Sequence, residues 1–161
     1  MEKYHENLYE SKRKLRIADH LIYMTLPVVK EKRIYLSILN ELNLSLKYLM
    51  DSLIEFEYKN KNIALYKDNL KNLSTFFSLC QIKYAIPLSD IKTLKELLLI
   101  SEEHKKSAVE LFDKNSVFIL SDNLKSSMLT IDKLKEFDLS LRRSIGKISP
   151  IIEKSLHMSN K

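Results

Sequence analysis

The sequence predicts an all-α protein: an antiparallel bundle of four to five helices with a short irregular segment or β-hairpin before the last helix. Three observations carry this. The 161 residues include one glycine, Gly146, and three prolines, Pro27, Pro87 and Pro150. Strand-rich folds need many tight turns, and glycine usually supplies their positive φ angles, so an all-β fold is excluded. Apolar residues recur at alternating steps of three and four along most of the chain, which places them on one face of a helix. That period lapses for a long interval only between Ser107 and Leu129. A chain of this length suits one domain and buries roughly 70% of its unfolded surface, enough for a core without staples. The reading is one domain over 1–155 with a frayed tail over 156–161.

The elements follow in order. Tyr4, Leu8, Ser11, Leu15, Ala18 and Ile22 form the stripe of a first helix, which Pro27 is expected to stop. A second helix runs from about Arg33 to Tyr58 on Tyr35, Ile38, Leu42, Ser45, Leu49, Leu53 and Phe56. Leu36, Leu39, Leu46 and Met50 widen its apolar face, as expected of a central helix with several neighbours. Ile63, Tyr66, Leu70, Leu73, Phe77 and Cys80 continue the same steps after the polar stretch Lys59 to Asn62. The pattern over 34–80 leaves open one unbroken helix or two; the usual length of globular helices favours a turn. Ser89 and Asp90 after Pro87 read as a helix start, with a capping hydroxyl and an acid at the positive dipole end. That helix runs to about Lys105. Val109 to Phe112 and Val117 to Leu120 flank Asp-Lys-Asn-Ser and are consistent with a hairpin, although the first half also suits a short helix. Thr130 with Asp132 opens the last helix, on Leu134, Phe137, Leu141, Ile145 and Ile148, which is expected to end near Gly146 to Pro150.

Charge is uneven. Residues 1–33 hold eight Lys/Arg against five acids and residues 142–161 hold five against one, while the whole chain carries +6. Terminal helices packed side by side would pool this excess into a positive region able to attract nucleic acid, an acidic protein or anionic lipid. The single cysteine, Cys80, has no partner for a disulfide or a cysteine-based zinc site and falls on an apolar stripe, so it reads as a buried, reduced thiol. The first residues, MEKYHENLYESKRK, lack the apolar core of a signal peptide, and the most apolar window, Leu21 to Val29, is far shorter than the roughly 18 residues of a membrane span. The expectation is a cytoplasmic protein.

Reactive constellations are absent. One glycine cannot build a P-loop or a GxGxxG turn. His5, His20, His104 and His157 do not form an HExxH or other dense ligand pattern, and Glu102-Glu103-His104 is one residue too short for a di-iron Glu-x-x-His motif. No metal site and no cofactor is expected. The one spacing with a chemical meaning is Arg13, six residues, then His20, which shares a helix face and fits R-x4-6-H. This resembles the signature of the HEPN superfamily, helical bundles many of which are dimeric ribonucleases. The resemblance implies catalysis by Arg13 and His20 and binding of RNA. In that family the pair generally lies late in the bundle, whereas here it stands in the first helix. RIADHLIYMTLPVVKEKR (Arg16 to Arg33), EHKKSAVELFDKNSVFILSDNLKSSMLT (Glu103 to Thr130) and IDKLKEF (Ile131 to Phe137) resemble uncharacterised small archaeal helical-bundle proteins, a likeness that implies a fold and no reaction.

A chain rich in helical stripes and poor in reactive groups reads first as a non-enzymatic interaction or assembly module, as a homodimer; the alternative is a HEPN-like RNA-binding protein or ribonuclease. Leu21, Tyr23, Met24, Leu26, Val28 and Val29 crowd one end beyond what one fold easily hides. The second expected surface is the lapsed segment itself, through Val109, Phe112, Val117, Phe118 and Ile119, with Lys105, Lys106, Lys114 and Lys125 on its rim and Asp113 and Asp122 offsetting them.

Overall fold

The computed structural model describes residues 2–107, 109–113, 115–120 and 126–158. Among them run five long helices, one short helix and a three-stranded sheet. Helix α1 (Lys3–His20) passes through a π turn, Leu21–Thr25, into the short α2 (Leu26–Val29). Then come α3 (Arg33–Lys59), α4 (Asn69–Ile82) and α5 (Leu88–Lys105), strands β1 (Val109–Phe112), β2 (Ser116–Leu120) and β3 (Ser126–Thr130), and α6 (Ile131–Met158). The expected all-α bundle with a small β element before its last helix is present.

The central position of α3 follows from its wide apolar face: Ile38, Leu39, Leu42, Leu46, Leu49 and Leu53 are all fully buried. Helix α1 lies along it most extensively, with α5, α6 and α4 around the remaining sides. Small residues let α1 and α3 approach closely. The Ser11 hydroxyl donates to the Ser45 carbonyl at 2.8 Å and the Ser45 hydroxyl donates back to the Ser11 carbonyl at 2.7 Å. Ser52 repeats the device on the carbonyl of Tyr4, at 2.7 Å. Ala18 closes the line, fully buried. Buried polar atoms are tolerated here because each finds a partner across the joint.

The structure corrects several sequence readings. Pro27 does not stop the first helix. The Leu26 N–H reaches back five residues to the Leu21 carbonyl, and the wider π turn carries the chain into α2, where Pro27 sits in the first turn and its missing N–H costs nothing. The helical run ends at Lys30 instead, whose φ of 53° is left-handed. Residues 34–80 are two helices, and Ile63 and Tyr66 belong to the connection between them rather than to a helical stripe. Asp68 sets the start of α4 by accepting the Leu70 N–H at 2.9 Å, and Asn72 clasps the backbone of Tyr66 through both its amide atoms. Helix α5 begins at Leu88 with no side-chain cap; Ser89 does not cap it, and Asp90 turns to Ser140 and Arg143 on α6. Helix α6 runs through Gly146 and Pro150 to Met158, because Ile148 and Ile152 are fully buried and hold the added turns against the core. The expected fray after Ser155 gives way to helix up to Met158; the remainder of that tail lies outside the described residues.

The sheet is antiparallel with order β1-β2-β3. Leu111, Phe118 and Met128 stand in one cross-strand row, and Phe112, Val117 and Leu129 in the next. Alternation sends Val117, Ile119 and Leu129 into the core, against α5 and α6, and leaves the Leu111 row facing outward. The hairpin was legible from its two apolar runs, whereas β3 was not. The Thr130 hydroxyl then accepts the Lys133 N–H at 3.2 Å and caps α6, as its place in the sequence suggests.

Candidate interaction surface

The π turn is the local cause of the first exposed apolar group. An extra residue in the turn breaks the stripe that buries Leu8, Leu15, Ala18 and Ile22, so the apolar residues that follow cannot all continue inward. Ile22 is buried and Leu21 and Leu26 are half-buried, but Tyr23, Met24, Val28 and Val29 face outward, with Met24 63% and Val28 79% exposed. Tyr23 carries the Lys135 ammonium 5.6 Å from its ring centre, which places this group beside the first turns of α6.

The sheet meets the same end of the bundle. Phe112, nearly half exposed, lines a shallow depression with Lys30, Glu31, Lys32 and Arg33, the connection between α2 and α3. On the outer face Leu111 and Met128 are about half exposed and Phe118 between them is half-buried. Lys105 and Lys106 are exposed at the end of α5. Of the expected surface residues, Phe112 and Phe118 therefore lie at the surface, while Val117 and Ile119 are core residues with no exposure. The Val109 side chain, Lys114, Asp122 and Lys125 lie outside the described residues. On the inner side, His104 Nδ1 stands 2.6 Å from Glu110, and the Ser127 hydroxyl donates to Glu103, so Glu103 and His104 hold the sheet on α5.

A second apolar surface was not anticipated. Leu70, Leu73, Phe77, Leu88 and Leu99 border a groove of about 550 Å³ between α4 and α5, with Leu70, Leu88 and Leu99 largely exposed. The sequence reading put Leu70 on an inward stripe, and only the late start of α4 shows otherwise.

Arg13 and His20 are engaged differently. The Arg13 guanidinium donates to both carboxylate oxygens of Glu10, at 3.2 Å to Oε1 and 2.7 Å to Oε2, and His20 is exposed at the end of α1. Part of the terminal positive charge is paired. Lys12 meets Glu153, Lys14 meets Glu41 at 3.2 Å, Arg142 meets Asp19 and Asp138, and Arg143 meets Asp90 at 2.7 Å. Arg143 beside Asp90 holds that carboxyl below its ordinary value. Cys80 is buried, and burial pushes its thiol up to about 12, which suits an inert core residue. No group of three metal-ligating side chains occurs among the described residues, and no described helix is long and apolar enough to cross a membrane.

Two carboxylates with no exposure serve as further joints. Glu57, with no exposure, accepts from Tyr84 Oη at 2.5 Å, Lys83 Nζ at 2.6 Å and Asn62 Nδ2 at 2.7 Å. Burial alone would raise its carboxyl, but these three donors outweigh burial and hold it below its ordinary value. The joint ties the end of α3 to the connection before α5. Asp138 is the opposite case. One oxygen accepts from Arg142 at 2.9 Å and the other, Oδ1, has no hydrogen-bond partner among the described residues, and burial pushes the carboxyl up to about 6, with Asp19 adding to the effect and Arg142 opposing it. No family model, no curated protein and no solved structure matches the chain.

Proposed function

We propose that the chain is a non-enzymatic interaction module that works by self-association, as a homodimer. The observation that supports this reading is the apolar end of the bundle, where Tyr23, Met24, Val28 and Val29 on one side and Leu111, Phe112 and Met128 on the other stay in contact with water. Apolar surface in water costs about 25 cal/mol per Å², and groups of this kind rimmed by polar residues are where partners bind. Lys30, Lys32 and Arg33 supply the polar rim.

Light scattering across a concentration series tests the reading. The mass doubles as concentration rises, and Met24→Lys, at a position exposed enough to leave the fold intact, shifts that transition to higher concentration by roughly tenfold, the loss of one buried apolar contact of about 1.4 kcal/mol. A wild-type chain that stays monomeric throughout the series contradicts it.

A further inference from the structure

The way the hairpin closes determines which backbone groups β1 leaves unused. The Asp113 N–H donates to the Ser116 carbonyl at 2.9 Å, so these two residues are a hydrogen-bonded pair. In an antiparallel ladder bonded and non-bonded pairs alternate. Leu111 and Phe118 are then the next bonded pair, while Phe112 with Val117 and Glu110 with Ile119 are not. The N–H and C=O groups of Glu110 and Phe112 therefore point to the far side of β1, where no strand lies among the described residues. The outward row Leu111, Phe118, Met128 runs up to this edge and stops there.

We propose that the edge of β1 is completed by β1 of a second copy, antiparallel, about a two-fold axis at Leu111, so that two three-stranded sheets join into one of six strands. This rests on the self-association reading and names its contact. The register follows from the unused groups. Glu110 of one copy faces Phe112 of the other, each such pair exchanges two backbone hydrogen bonds, and the two Leu111 residues meet between them as a non-bonded pair. A contact of this kind is self-complementary, which a two-fold interface requires. It satisfies the backbone groups of Glu110 and Phe112 in both copies and extends the apolar row without a break, from Met128 and Phe118 through Leu111 to the same residues of the other chain.

The test uses the full chain with Leu111→Cys under mild oxidation. Opposed residues of a non-bonded antiparallel pair have Cα atoms about 4.5 Å apart, within the range a disulfide spans. Cys80 is fully buried and does not compete. The proposal expects a covalent dimer from Leu111→Cys, none from Met128→Cys on the opposite edge, and a halved mass for Phe112→Pro, which blocks the outward N–H while leaving the β1–β2 ladder intact. If the wild type is dimeric but Leu111→Cys links no faster than Met128→Cys, the sheet-edge contact is wrong and self-association stands. Should Phe112→Pro not fold, the comparison of the two cysteine variants decides alone. A wild type that is monomeric at every concentration overturns both the contact and the reading beneath it.

Discussion

Asp138 shows how one residue ties packing to pH. It is fully buried, with no hydrogen-bond partner for Oδ1 among the described residues, and the guanidinium that balances it, Arg142, is shared with Asp19 of α1. Its folded value near 6 lies above the ordinary 3.8, so the native fold prefers the protonated carboxyl. The cost of keeping it ionised is present above about 6 and disappears as pH falls through that value toward 4, which makes this residue a source of stability gained on mild acidification. Urea unfolding at pH 7.5 and at pH 5.5 measures it: the wild type gains stability on going down, and Asp138→Asn removes most of that gain while stabilising the chain at pH 7.5 by about 1–2 kcal/mol. The i, i+4 spacing of Asp138 and Arg142 is visible in the sequence. The role of Asp19 is not, because nothing local connects residues so far apart along the chain. Glu57 has the same lesson, since three donors on two other segments convert an ordinary surface-type residue into a buried joint.

At the scale of elements, what was legible was set by period and what was missed was set by punctuation. The stripes of α1, α3 and α6 bury the residues their spacing selects, including Ser11 and Ser45, whose small size and hydroxyls make the α1–α3 joint. Pro27 and Pro150 mislead because both are accommodated: one sits in the first turn after a π turn, and the other lies in α6, where the carbonyl it leaves unbonded belongs to Gly146. Strand β3, Ser126–Thr130, has no apolar run of its own and exists because β2 offers it a ladder. Gly146 tests this account of α6. A Cβ there meets nothing within 4 Å, and the position is exposed within a continuous helix, so Gly146→Ala raises stability by about 0.5–1 kcal/mol, seen as a higher midpoint in thermal or urea unfolding. A destabilised variant would mean that the helix needs a break at this point.

For the whole molecule, the distribution of apolar surface is the feature that bears on function. The bundle hides a continuous core from Leu8 to Ile152, yet among the described residues it leaves apolar surface in water, including the end formed by the π turn and the sheet and the groove between α4 and α5. The first was legible in the crowding of apolar residues between Leu21 and Val29 and in the lapsed segment; the second arises from where α4 begins, which the sequence alone does not mark. Asp90, Glu57 and Arg143 are engaged in joints between elements of the fold. Hydrogen exchange in dilute and concentrated solutions of the wild-type chain tests the central claim most directly. Self-association through the apolar end predicts that amides of Tyr23–Val29 and of Glu110 and Phe112 gain protection as concentration rises while those bordering the α4–α5 groove do not change, and identical exchange at both concentrations would contradict it.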